Sequence, residues 1–202
     1  MADTRTKTRI QAEIQAEIQT QNRTLVLGGA RSGKSAHAEL LAAESGKDVL
    51  YIATAQAGDT EMAARIAHHR LQRSSAWRTV EEPFALGAAI TRWSTPQRLI
   101  LIDCLTVWLS NLLFAEAREF PEVGDILPPA CFHEERAAFL TALRQSAGEV
   151  VLVSNEVGMG IIPQGAVSRW FVDEAGRLNQ SVAATCNRVQ LVMAGLPLVL
   201  KG

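Results

Sequence analysis

The chain has 202 residues, with 20 lysines and arginines against 21 aspartates and glutamates. That length fits one domain with a sizeable core, domains usually running to roughly 100–200 residues, and the near-balance of charge offers no field to draw nucleic acid or an anionic membrane. Cys104, Cys131 and Cys186 are an odd number at wide spacings; with no Cys-x-x-Cys pair they read as reduced thiols rather than a zinc or redox centre. No apolar run approaches the ~20 residues of a membrane span, and the N-terminus lacks the apolar stretch of a secretory signal. The expectation is a soluble, cytoplasmic protein with a small, locally bound partner.

Residues 1–22 are polar, with Ile10, Ile14 and Ile18 recurring every four residues. This predicts a leader helix with a thin apolar stripe; such a stripe buries little, so the leader is given no function. From Thr24 onward short apolar runs alternate with helical stretches. Strands are predicted at Thr24–Leu27, Val49–Ala53, Leu99–Ile102, Val150–Val153 and Val189–Met193. Most of these runs are continuous rather than alternating, as in a parallel sheet covered on both faces. Helices are predicted at Lys34–Glu44, Thr60–Gln72, Phe84–Trp93, Leu105–Ala117, Phe132–Ala147 and Val167–Ala184, and Leu198–Leu200 adds a last strand by a hairpin after Gly195 and Pro197. Arg118–Pro129, with Pro121, Gly124, Pro128 and Pro129, reads as a connecting loop. The architecture expected for 23–202 is one α/β domain whose mostly parallel sheet is flanked by helices.

Gly28-Gly29-Ala30-Arg31-Ser32-Gly33-Lys34-Ser35 fits Gly-x-x-x-x-Gly-Lys-Ser between a predicted strand and a predicted helix, the context a phosphate loop requires. Glycines let backbone amides turn inward around phosphate oxygens, and the helix N-terminus adds the positive end of its dipole. Lys34 supplies a point charge for the β and γ phosphates and Ser35 a hydroxyl for Mg²⁺. Asp103 ends the run Leu99–Ile102, at the strand edge where α/β proteins hold ligands. A magnesium or nucleotide contact is favoured there over a simple helix cap, which an aspartate would also serve.

On a helical wheel, Thr60–Gln72 splits into an apolar face of Met62, Ala63, Ile66 and Ala67 and a polar face of Glu61, Arg65, His68 and Gln72. His68 lies near the centre of the polar face and His69 at its boundary, so the two imidazoles do different jobs. The wheel alone favours a solvated surface residue for His68 over a nucleophile or general base.

Several separated strings carry a more specific signal: the phosphate loop, Tyr51–Thr54, Glu61–Ile66 with His68-His69-Arg70, Trp77–Thr79, Ser154–Pro163 and Ala175–Gln180. In order and spacing they resemble the bifunctional adenosylcobinamide kinase/adenosylcobinamide-phosphate guanylyltransferases of cobalamin biosynthesis, from Thr24 to the C-terminus. The resemblance implies a P-loop NTPase-like, RecA-like fold and a two-step enzyme. A nucleoside triphosphate, ATP or GTP, phosphorylates adenosylcobinamide; GTP then guanylylates a histidine, which passes GMP to adenosylcobinamide phosphate, with Mg²⁺ assisting. Carried onto this chain, the nucleophile is His68, with Lys34 in the catalytic machinery. Nucleotide contacts fall on residues 28–35, on Ile52, Ala53 and Thr54, on His69, Arg70, Leu71 and Gln72, and on Glu81 and Asp103. Magnesium falls to Ser35 and Asp103, and a homotrimer is implied. By its residues alone, Glu81 fits an exposed strand-end charge equally well. Asn155 and Glu156, opening a glycine-containing loop that ends at Gly165, are candidates for corrinoid contacts. Two rival readings are a plain P-loop kinase or NTP hydrolase with an inert His68, and a nucleotide-gated binding module; neither accounts for the His-His-Arg and Asn-Glu-Val-Gly-Met-Gly strings.

Overall fold

The computed structural model describes residues 22–56, 74–116 and 119–202. The leader, but for Asn22, and the whole predicted helix Thr60–Gln72 with its paired histidines lie outside the described residues. In chain order the elements are β1 (Arg23–Gly28), α1 (Lys34–Glu44), β2 (Asp48–Ala53), β3 (Arg78–Glu81), α2 (Leu86–Trp93), β4 (Arg98–Asp103), α3 (Leu105–Leu113), α4 (Ala130–Gln145), β5 (Glu149–Asn155), α5 (Ala166–Thr185), β6 (Arg188–Met193) and β7 (Leu196–Lys201). The strands form one sheet in the order β3-β2-β4-β5-β1-β6-β7, parallel except for β7. One strand, β5, separates the strand entering the phosphate loop from the strand ending in Asp103, the RecA-like arrangement.

The continuous apolar runs are explained by burial on both faces. Side chains of successive strand residues point to opposite sides, so Leu25, Leu27, Leu50, Ile52, Ile100, Ile102, Val150 and Leu152 enter one core. Val26, Val49, Tyr51, Leu99, Leu101, Val151 and Val153 enter the other. The first core is filled from α2, α3, α4 and α5 by large side chains, among them Trp108 and Phe139 with ring centroids 5.0 Å apart. The second is closed by α1 through the small Ala38 and Ala42, which lets that helix lie close on the sheet and brings its N-terminus to the edge of β1.

Three elements, β3, β7 and α3, differ from the sequence reading. The edge strand β3 has no apolar run because Arg78, Thr79 and Glu81 are exposed, so periodicity did not reveal it. β7 is longer than Leu198–Leu200 and contains Pro197, since an edge strand tolerates a residue without an N–H; the turn is Ala194–Gly195, both at positive φ. α3 stops at Leu113, short of Ala117. The N-cap of α3 is Cys104, whose Sγ accepts from the Val107 amide, not Asp103. Among residues 119–129 there is neither helix nor strand; Ile126 plugs the core, and the Glu122 carbonyl accepts the Ala166 amide at the start of α5.

The α2–α4 contact depends on Gly87, where a Cβ would lie 2.8 Å from the Ala138 carbonyl carbon and 2.9 Å from the Phe139 nitrogen. Gly87→Ala is expected to destabilise the fold by about 2 kcal/mol, backbone overpacking outweighing the ~1 kcal/mol that alanine gains in a helix interior. Urea unfolding measures it; an unchanged or raised midpoint would mean the two helices can separate at no cost.

Candidate active site at the carboxyl edge of the sheet

The parallel strands all end on one edge, bringing Gly28, Asn155, Asp103, Ala53 and Glu81 into a row: Gly28 pairs in register with Asn155, and Ala53 with both Asp103 and Glu81. From Gly28 the backbone wraps into α1 through Arg31 at φ 55° and Gly33 at φ 94°. Gly28 is required by its surroundings, since a Cβ would sit 2.4 Å from Ser32 Oγ and 2.6 Å from the Val192 carbonyl oxygen. Gly33 faces the β6–β7 turn, where a Cβ would approach Gly195 Cα to 3.1 Å, and the Gly195 amide donates to the Ser32 carbonyl at 2.8 Å. The hairpin thus buttresses the loop from outside.

Three features of this loop fit an anion. The N-terminus of α1 has no side-chain cap and no acidic residue in its first turn, leaving amides that would otherwise lack partners for a ligand. Lys34, largely buried, turns its Nζ back onto the Gly29 carbonyl at 3.1 Å, among the described residues a single neutral acceptor for a full charge. Ser32 Oγ is buried without a hydrogen-bond partner among the described residues.

Beside the loop, the half-buried Asp103 accepts a hydrogen bond at Oδ2 from the Tyr51 hydroxyl at 3.1 Å. Tyr51 and Ala53 share a face of β2, so Tyr51 is the diagonal neighbour of Asp103 across the pair. The turn after Asp103 is clamped by Thr54, whose hydroxyl accepts the Cys104 amide at 2.8 Å and donates to the Cys104 carbonyl at 2.9 Å. Asn111 Nδ2 holds the Thr54 carbonyl at 2.8 Å. Burial, reinforced by the charge of Asp103, pushes the Cys104 thiol up to about 12, so it is a neutral cap and no nucleophile at ordinary pH. On the other flank the Asn155 amide donates to Thr106 Oγ1 at 2.7 Å, and the Glu156 amide to the Gly28 carbonyl at 3.1 Å.

Comparison with known proteins shows the family. The family model "Cobinamide kinase / cobinamide phosphate guanyltransferase" matches residues 24–200. The chain is 52% identical over 180 residues to the bifunctional adenosylcobalamin biosynthesis protein CobP of Pseudomonas aeruginosa, covering 89% of this chain and 98% of that protein. It is 45% identical to CobU of Escherichia coli, covering 88% and 98%. The chain belongs to the cobinamide kinase/cobinamide phosphate guanyltransferase family. Among solved structures, the flagellar accessory protein FlaH of Methanocaldococcus jannaschii aligns with a TM-score of 0.48 and 12% identity, over 90% of this chain and 79% of its own.

Within this guanyltransferase-family site, residues 28–35, Ala53, Glu81, Asp103 and Asn155 gather at one edge of the sheet. Ile52 and Thr54 do not join them through their side chains. Ile52 is wholly inside the core, and Thr54 is wholly buried with its hydroxyl committed to Cys104, so what these two positions offer at the edge is backbone. His68, His69, Arg70, Leu71 and Gln72 lie outside the described residues. Sequence reasoning did not single out Tyr51 as the partner of Asp103, nor the Thr54–Cys104–Asn111 clamp. The position of Tyr51, two residues before the end of its strand on a buried face, was the available signal. Among the described residues no helix is long and apolar enough to cross a membrane.

Proposed function

We propose that this protein phosphorylates adenosylcobinamide with a nucleoside triphosphate, then transfers GMP from GTP through His68 to adenosylcobinamide phosphate, giving adenosylcobinamide-GDP and pyrophosphate. The observation that carries this is the uncapped phosphate loop, with Lys34 resting on its own loop's carbonyl beside the Asp103–Tyr51 pair, in a chain of this family.

In the kinase step the acceptor hydroxyl attacks the γ-phosphorus, the bond to the β-phosphate bridging oxygen breaks, and NDP leaves. Lys34 swings from Gly29 to the phosphates, and the amides of residues 29–35 gather the charge that builds on the equatorial oxygens. In the guanylyl step a neutral imidazole nitrogen of His68 bonds to the α-phosphorus of GTP as the bond to pyrophosphate breaks. A phosphate oxygen of adenosylcobinamide phosphate then displaces His68, and the nitrogen–phosphorus bond breaks. Ser35 and Asp103 would hold Mg²⁺, which supplies charge neutralisation at the phosphates. Tyr51 orients the Asp103 carboxylate for that task. Two protein oxygens would suffice for such an ion, since magnesium at a nucleotide is ordinarily held by one or two protein groups together with the substrate's phosphates. Ala53 and Glu81 line the nucleotide side, where an ionised Glu81 can accept from guanine or ribose donors. His69, Arg70, Leu71 and Gln72 follow the nucleophile as further nucleotide contacts, and the assembly is a homotrimer.

Intact-protein mass after incubation with GTP and Mg²⁺, with no corrinoid present, tests the reading. The expected result is a gain of one guanylyl group, labile to acid and stable to alkali, discharged by adenosylcobinamide phosphate. Protein that binds nucleotide yet gains no mass would be a plain P-loop kinase.

A further inference from the structure

The motif Ala175–Gln180 plays no part in the phosphate chemistry, yet it contains a glycine in the interior of the 20-residue helix α5. A mid-helix glycine costs about 1 kcal/mol relative to alanine. At Gly87 close backbone packing accounts for it; at Gly176 a Cβ would meet nothing within 4 Å. Packing among the described residues therefore gives no reason for glycine there. Gly176 instead forms part of the lining of an open cleft of about 620 Å³ between α5 and the loop after β5. Val172 and Ile162 supply apolar wall, and Arg169, Arg177, Asp173 and Gln180 a polar rim. The cleft is linked to the phosphate loop through the backbone: Gly158 lines it, and two residues earlier the Glu156 amide is bonded to the Gly28 carbonyl. Asn179 Nδ2 holds the Asn155 carbonyl at 3.2 Å, and the next amide, that of Glu156, is bonded to Gly28. Asn179 Oδ1 is buried without a hydrogen-bond partner among the described residues.

Resting on the function proposed above, we infer that this cleft docks the body of the acceptor substrate, with an edge of its flat, amide-fringed corrin lying over Gly176. A flat apolar ring needs a wall without a protruding Cβ. Peripheral carboxamides, each donor and acceptor, match a rim that carries two guanidinium groups, a carboxylate and an amide. The acceptor's hydroxyl arm then runs toward the phosphates past the segment from Gly158 back to Glu156, which is joined to Gly28.

Gly176→Leu fills the floor of the cleft without touching the nucleotide side, and Gly176→Ala fills it less. The KM for adenosylcobinamide is expected to rise about tenfold in Gly176→Leu and about twofold in Gly176→Ala, with kcat largely kept. The guanylyl adduct formed from GTP alone should match wild type in both variants, which also reports that they fold. An unchanged KM overturns the inference. So does an altered elution volume on gel filtration, which would make Gly176 a contact between copies of the chain, or a parallel loss of adduct, which would make it structural. If wild type itself forms no adduct and phosphorylates no adenosylcobinamide, the proposed function falls first, and the two failures are told apart.

Discussion

Replacing His68 with alanine is expected to abolish the GTP-dependent guanylyl adduct and to lower adenosylcobinamide-GDP formation by at least about a thousandfold, equivalent to ~4 kcal/mol of transition-state stabilisation. The two half-reactions differ in what they ask of a nucleophile. Phosphorylation of adenosylcobinamide needs only the substrate's own hydroxyl and a preorganised γ-phosphate, so its kcat should stay within about threefold of wild type. Guanylyl transfer through a phosphoramidate needs a nitrogen on the α-phosphorus, and alanine removes it. His69→Ala should keep the adduct, since the wheel sets His69 at the boundary of the polar face rather than at its centre. Imidazole added to His68→Ala should restore part of the GMP transfer by occupying the vacated space. An adduct that survives in His68→Ala would move the nucleophile elsewhere, and a kinase activity that collapses with it would mean that the substitution disturbs the shared nucleotide site.

The parts of this fold that were legible in the sequence are those whose cause is local or repeats along the chain. β1, β2, β4 and β5 are legible as largely continuous apolar runs because helices cover both faces of the sheet, β6 as a run broken by Gln190, and α1 from Lys34 to Glu44 because the phosphate loop sets its start. β3 was lost because its exposed residues carry no apolar signature. The site divides the same way. The loop from Gly28 to Ser35 was visible as text, because its function resides in its own backbone. The reason Gly28 must be glycine was not, because the Val192 carbonyl that would meet its Cβ comes from β6, at the far end of the chain. Asp103 was placed correctly at a strand end, while its bond to Tyr51 follows from the β2–β4 register, which no single run of residues encodes. The bonding of the Thr54 hydroxyl is hidden from the sequence for the same reason: it is claimed by Cys104, 50 residues later.

Lys34→Ala should lower kcat/KM of both half-reactions by about a hundred- to a thousandfold, as the loss of one preorganised transition-state donor does elsewhere, or ~3–4 kcal/mol. Both steps spread negative charge over phosphate oxygens, so a single substitution is expected to strike the kinase and the adduct together, unlike His68→Ala. The stability of the free protein should hardly move. Among the described residues the Lys34 ammonium makes one bond, to the Gly29 carbonyl, and holding a largely buried charge against one neutral acceptor gains little over an apolar replacement. Urea unfolding without nucleotide should therefore give a free energy within about 1 kcal/mol of wild type, whereas the stabilisation that GTP confers on wild type should be largely lost, because it scales with nucleotide affinity. Lys34→Arg should rescue neither activity: a planar guanidinium on a longer arm does not fit where a compact ammonium lies folded under Gly29. If Lys34→Ala lost only the kinase and kept the guanylyl adduct at the wild-type rate, the two reactions would use separate phosphate sites, and the single cradle at the carboxyl edge of β1 would serve the first alone.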